Sequence, residues 1–185
     1  EISNFSTNEG LLNNRLTTLY IDKKGRIWYG TENHGIGYVF DEKVNEKTIT
    51  TQDGLVANSI RSFVEDKNGY LWIGTAGSGI SSFNLYDNKQ EIKNYDHANG
   101  LSSSNIYLLT IDRKNNLISG TETGLDYISF NENRKIKTIK HYSKGDGFTG
   151  IETCQNAVYS DKDGTIWFGT INGLSKYNPA NSTKN

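Results

Sequence analysis

Methionine is absent from the 185-residue chain, even at its first position, and cysteine and proline each occur once. A chain without an initiating methionine is expected to be a processed or excised segment, with any targeting signal removed. The lone Cys154 excludes an internal disulfide framework and a thiolate zinc site. A single proline leaves no Pro-rich linker or stalk. Neither sign of charge dominates: 20 Lys and Arg stand against 21 Asp and Glu, a net charge of −1. A nucleic-acid reader normally carries a basic excess, so no nucleic-acid partner is expected. Apolar runs are only a few residues long, far below the roughly 20 that span a bilayer as a helix. Membrane attachment is therefore expected only through a helix outside this chain.

Turn formers and strand formers are plentiful. Nineteen glycines and 22 asparagines accompany a hydrophobic share of 34% and an aromatic share of 11%. That is the apolar content of a globular domain, with the residue types of a turn-rich β protein.

The dominant feature is a fourfold repeat. DKKGRIWYGT begins at Asp22, DKNGYLWIGT at Asp66, DRKNNLISGT at Asp112 and DKDGTIWFGT at Asp161. The aspartate precedes Trp28, Trp72 and Trp167 by six residues, with Ile118 standing in for tryptophan in the third copy. It precedes Gly30, Gly74, Gly120 and Gly169 by eight, and these glycines lie 44, 46 and 49 residues apart. Each copy opens on Gly-Leu or Gly-Phe (Gly10, Gly54, Gly100, Gly147) and carries a later glycine at Gly35, Gly79, Gly124 or Gly173. The fourth copy has 14 residues from Gly147 to Asp161, where the others have 12.

In the second copy, strands are predicted over 59–65, 70–75, 80–84 and near 92–95, with Asp66–Gly69 as a tight turn. Four strands recurring every ~46 residues define a propeller blade. The expected fold is all-β: a propeller of four four-stranded blades, forming one segment over 1–185. The blades fall at about 10–50, 54–95, 100–142 and 147–178, and residues 2–6 are a candidate outer strand closing the last blade.

The second copy, GLVANSIRSFVEDKNGYLWIGTAGSGISSFN, resembles the two-component regulator propeller repeat, and the resemblance extends over nearly the whole chain. It implies the sensor region of a bacterial signalling protein, lying outside the cytoplasmic membrane and followed by a membrane helix and a cytoplasmic output domain such as a histidine kinase. It also implies an oligosaccharide as ligand. Members usually have seven-bladed propellers, so four copies would be a fragment of such a ring or something smaller.

The Asp-x-x-Gly turns have neither the calcium-loop spacing nor that of a sialidase Asp-box, and Asp22, Asp66, Asp112 and Asp161 are expected to cap their turns. Trp28, Trp72 and Trp167 hold one register in the repeat and are expected in the packing between blades. His34, His97 and His141 fall at unrelated repeat positions, so no metal site is expected. Cys154 lacks a nucleophile context. No converging carboxylate pair, phosphate loop or other catalytic constellation emerges, and neither an enzyme nor a cofactor is expected.

In a propeller, the loop before each inner strand and the loop joining the second and third strands open on one face. The four copies differ there, as an asymmetric ligand would require. From the first set of loops Asn14, Arg15, Asn58, Arg61, Asn105, Tyr107 and Glu152 are candidate ligand contacts, with Asn13 and Gln155 beside them. From the second set come Asn33, His34, Glu122 and Asn172, with Glu32 beside them. Amides, arginine and an aromatic suit sugar hydroxyls or a sugar carboxylate. The alternative is a non-catalytic interaction propeller, whose unpaired blade edges would hold two sensors together.

Overall fold

The computed structural model describes residues 2–45 and 47–179. Every copy begins with the same local device. Ser6, Thr50, Asp96 and Ser143, in extended backbone, precede the 3-10 turns Thr7–Glu9, Thr51–Asp53, His97–Asn99 and Lys144–Asp146. The third turn residue reaches back to the cap: Glu9, Asp53, Asn99 and Asp146 accept the N–H of Ser6, Thr50, Asp96 and Ser143. Gly10, Gly54, Gly100 and Gly147 end the turns at φ of 102°, 109°, 99° and 90°, where a side chain would be strained. The next residue, Leu11, Leu55, Leu101 or Phe148, is buried. The recurring Gly-Leu is thus a turn terminator followed by a core anchor.

Among the described residues fifteen strands follow in four sheets, each an antiparallel meander whose spatial order is its chain order. Blade 1 comprises β1 (Leu16–Ile21), β2 (Ile27–Thr31), β3 (Ile36–Phe40) and β4 (Lys43–Val44). Blade 2 comprises β5 (Ile60–Glu65), β6 (Tyr70–Thr75), β7 (Ile80–Asn84) and β8 (Lys93–Tyr95). Blade 3 comprises β9 (Leu108–Ile111), β10 (Leu117–Gly120), β11 (Leu125–Phe130) and β12 (Ile136–Tyr142). Blade 4 has three strands among the described residues: β13 (Thr153–Ser160), β14 (Ile166–Thr170) and β15 (Gly173–Tyr177). Residues 2–6, expected as its outer strand, instead run outside every sheet, with Ile2 89% exposed.

The core is divided among the blade junctions. Inner strand β1 packs on β5, β5 on β9 and β9 on β13. One apolar cluster joins blades 1 and 2 around Trp28, Ile60 and Phe83. A second joins blades 2 and 3 around Trp72, Ile106 and Ile128. A third joins blades 3 and 4 around Ile118, Phe148 and Phe168. Gly30 and Gly74 set the spacing. A Cβ on Gly30 would come 2.6 Å from Ile60 Cγ2, and one on Gly74 would come 2.7 Å from Ile106 Cγ2, so only glycine lets the next blade approach.

The aspartate turns hold each second strand to its loop. Asp22 Oδ1 accepts the N–H groups of Lys24 and Arg26, and its Oδ2 accepts the Trp28 indole at 3.0 Å. Asp66 repeats this with Asn68, Tyr70 and Trp72, and Asp161 with Asp163, Thr165 and Trp167. The aspartates therefore cap their turns, and Trp28 and Trp72 pack between blades while also donating to them, whereas Trp167, expected in the same packing, is half-buried and lies outside the three apolar clusters. Burial pushes the Asp22 carboxyl up, but the Trp28 indole, Arg26 and two backbone N–H groups outweigh it and hold the group below its usual range. In blade 3 the indole is missing at Ile118. Tyr127, directly opposite on β11, donates its hydroxyl to Asp112 at 2.6 Å instead, and Asn116 adds its amide. Burial and the Asp112 carboxylate raise the Tyr127 phenol above its ordinary value.

Candidate functional site

Opposite the aspartate turns, the loops before the inner strands meet the loops joining second and third strands. Arg15 pairs with Glu32 at 2.7 Å and the Asn13 amide meets His34 Nδ1 at 3.2 Å. Ser103 donates to Glu122 at 2.7 Å, and the Ile171 N–H donates to the Glu152 carbonyl at 3.1 Å. The two loop sets therefore share one face, as the repeat implies.

At the axis of that face the inner strands depart from regular pairing. Leu16 pairs with Thr31 and Thr18 with Gly30, so Thr17 bulges out of the ladder. Ile60 pairs with Thr75 and Ser62 with Gly74, so Arg61 bulges likewise. Tyr107, just before β9, sits at the same repeat position and donates its N–H to the Gly120 carbonyl at 2.8 Å. In β13 Thr153 pairs with Thr170 and Val158 with Phe168, so four residues, 154–157, face a single glycine. The longer fourth copy is absorbed here, and Asn156 turns at φ 55°.

Counting back 13 residues from each Gly-Thr glycine gives Thr17, Arg61, Tyr107 and Asn156. The structure brings these four together. The Asn156 N–H donates to the Tyr107 carbonyl at 3.1 Å and its amide to the Arg61 carbonyl at 3.0 Å. Gln155 reaches across the axis to the carbonyls of Arg61 and Thr17 at 3.4 and 3.5 Å. The Arg61 guanidinium lies 4.6 Å from the Tyr107 ring centroid, and Asn105 donates to the Tyr107 hydroxyl at 3.3 Å. Arg61 Nη1, Thr17 Oγ1 and Glu122 Oε2 are buried atoms with no hydrogen-bond partner among the described residues. Such groups carry an unmet demand for a polar ligand or water.

Of the residues singled out from sequence, Arg61, Asn105 and Tyr107, with Gln155 beside them, form this axial cluster. Arg15 and His34 sit at the blade 1 rim, where the hydrogen bond and charge of Glu32 raise the Arg15 guanidinium. The Asn14 and Asn58 amides are engaged by Thr7 and Thr51 of the preceding turns, at 2.8 Å from each N–H. Asn33 and Asn172 are exposed on their loops, and Glu152 and Glu122 are half-buried. Thr17 and Asn156 were not among the sequence candidates, although counting from the glycine would have found both. A groove of about 410 Å³ lies elsewhere, on the aspartate-turn face between blades 2 and 3, where Trp72 and Phe130 line it beside Arg134. Among the described residues no three His, Cys, Asp or Glu side chains converge as a metal site would require.

The fold is a four-blade β-propeller with a uniform turn face and a variable axial face. The model of the family described as two component regulator propeller matches residues 10–33, 54–77 and 155–172. Histidine kinase P4 of Formosa agariphila is 29% identical over 172 residues, which cover 91% of this chain and 12% of that protein. The extracellular domain of BT3049 from B. thetaiotaomicron, named a hybrid two component system, shares the fold over the whole of this chain with a TM-score of 0.82 at 24% identity. This chain covers 25% of that domain. Virginiamycin B lyase from Staphylococcus aureus shares the fold at a TM-score of 0.60 and 17% identity, over 88% of this chain and 55% of its own. Among the described residues no helix is long and apolar enough to cross a membrane.

Proposed function

We propose that this chain is a ligand-recognition segment of an extracytoplasmic bacterial sensor, and that its axial face takes an oligosaccharide bearing a carboxylate. The observation that carries the reading is the axial bulge position: four equivalent backbone sites hold threonine, arginine, tyrosine and asparagine. The turn aspartate, by contrast, is the same residue in all four copies. The Arg61 guanidinium, with one buried nitrogen unpaired, suits a sugar carboxylate, and the Tyr107 ring beside it suits a pyranose face. The matched repeats and the kinase relative support the signalling context. The mechanism is non-catalytic. A ligand bridging the bulges would bias the packing between blades, and that shift would pass to the rest of the sensor.

Calorimetric titration with neutral and uronic-acid oligosaccharides tests this. Saturable binding of the acidic class is expected, weakened about tenfold or more by Arg61→Ala. Binding unaffected by both Arg61→Ala and Tyr107→Ala refutes the site. Release of a new product from the panel would turn the reading toward an enzyme.

A further inference from the structure

The outer rim between blades 2 and 3, inside the blade series, gathers positive charge in a chain whose net charge is −1. From Arg134 to Lys144 stand five lysines or arginines and no aspartate or glutamate. They run from the turn before β12, the outer edge of blade 3, along that strand and into the turn after it. Lysine on an edge strand discourages pairing with another sheet, a role that needs neither a buried cation nor a cavity. Both are present here.

A cavity of about 520 Å³ is lined by Lys93 and Tyr95 of β8 and by Arg134, Lys135 and Ile136 of blade 3. Among the described residues no carboxylate lines it. Arg134 is only 9% exposed, and the local structure fixes it there. Asn131 Oδ1 closes the turn by accepting the N–H groups of Asn133 and Lys135, each at 3.0 Å. Within that turn Arg134 takes φ 57°, a conformation that persists only where the surroundings over-determine it. The Tyr95 hydroxyl, from blade 2, donates to the Arg134 carbonyl at 2.8 Å. The guanidinium lies 4.3 Å from the Tyr70 ring centroid, and its polar contacts are long. Nη1 meets the Ser82 carbonyl and hydroxyl at 3.4 and 3.2 Å, and Nη2 meets the Glu91 carbonyl at 3.5 Å. The Glu91 carboxylate, 72% exposed, stands 3.8 Å from Arg134 Nη2 and 3.9 Å from Lys93 Nζ, at the outer limit of an ion pair. Three cations, Lys93, Arg134 and Lys135, thus meet one loosely held anion, an excess of two positive charges.

We propose that this cavity binds a phosphate monoester, whose oxyanion displaces the Glu91 carboxylate and is held by Arg134, Lys93 and Lys135. Such a group carries close to two negative charges at neutral pH, which matches the excess, whereas a carboxylate would leave one positive charge uncompensated. Its oxygens accept from the planar guanidinium fork and from the two ammonium groups. Arg134 is preorganised against Tyr70, so binding orders only the lysines and releases Glu91 to water. Tyr95 and the half-buried Ile136 give the organic part of the ester an apolar seat. The basic run along β12 adds a field that draws anions to this rim. None of the axial residues takes part, so the site stands or falls apart from the axial reading.

Calorimetric titration of the whole chain at low ionic strength tests the proposal, with inorganic phosphate, glycerol 3-phosphate and vesicles containing phosphatidic acid as separate probes. Saturable one-to-one binding of inorganic phosphate is expected, weakened about fivefold or more by Lys93→Ala or Lys135→Ala. Glu91→Gln, which removes the competing carboxylate, should strengthen it by a similar factor. A role in folding alone would not give these opposite signs, and the circular dichroism spectrum should be the same for all three variants. Glycerol 3-phosphate binding at least as tightly as inorganic phosphate assigns the source to a soluble ester. Vesicle binding that excess inorganic phosphate displaces assigns it to a lipid headgroup. Absence of saturation with all three probes overturns the proposal. So does phosphate binding that both lysine variants leave unchanged, or that Glu91→Gln fails to strengthen.

Discussion

Replacing Asp66 by alanine removes the acceptor for three donors in one step. The carboxylate, 7% exposed, receives the Asn68 N–H at 2.8 Å, the Tyr70 N–H at 3.0 Å and the Trp72 indole at 3.1 Å. Trp72 is 2% exposed, so its N–H finds no water when the carboxylate goes, and a buried orphan donor costs about 1–3 kcal/mol. The two turn amides sit nearer solvent and rehydrate in part. Their loss resembles the loss of a helix cap and costs about 1–2 kcal/mol together. The sum is roughly 2–5 kcal/mol, a large share of the stability of a domain of this size. Urea unfolding followed by tryptophan fluorescence reads it as a lower midpoint at an unchanged slope. A loss below about 1 kcal/mol would refute the argument, since it would mean that the strand pairing of β5 with β6 holds the turn without the carboxylate.

Tyr127→Phe, which withdraws the hydroxyl that replaces the missing indole in blade 3, should cost about 1–2 kcal/mol by the same assay, while Tyr38→Phe, opposite Trp28 in blade 1 where the indole already serves Asp22, should cost less. Gly74→Ala forces a Cβ to 2.7 Å from Ile106 Cγ2, and a fall in melting temperature equivalent to about 1–3 kcal/mol is expected from calorimetry. The depressed Asp22 and Asp161 carboxyls give an acid-limb prediction. Because folding lowers their pKa, their contribution is complete above the ordinary value of 3.8 and is lost as pH falls through the lower folded value. Melting temperature recorded from about pH 6 to pH 2 should fall steeply below pH 4, and Asp22→Asn should make that fall shallower.

The blades were legible because their signals are local. Asp66, Asn68 and Gly69 specify a turn by their own chemistry, and the strands predicted over 70–75 and 80–84 coincide with β6 and β7. What escaped depends on cross-strand register. Ile118 stands out in sequence as a missing tryptophan, but that Tyr127 takes over its hydrogen bond follows only from the two residues lying opposite each other on β10 and β11. Asn14 and Asn58 read as ligand contacts because they are polar and loop-borne. They bind their own chain because each lies seven residues after a turn threonine whose N–H needs an acceptor. The axial cluster was half legible: Arg61 and Tyr107 were visible as variable loop residues, whereas Thr17 and Asn156 join them through bulges that composition does not announce.

Those bulges separate two kinds of inheritance in the chain. The clasp over the axis grips main-chain carbonyls, those of Thr17, Arg61 and Tyr107, and is therefore indifferent to which side chains stand there. The residues themselves lie outside the ladder and outside the three apolar clusters. Chemistry at the axis can thus be rewritten one blade at a time, by point substitution or by exchange of whole repeats, without reopening the question of whether the protein folds. A lineage built this way can diversify its specificity quickly while its architecture stands still.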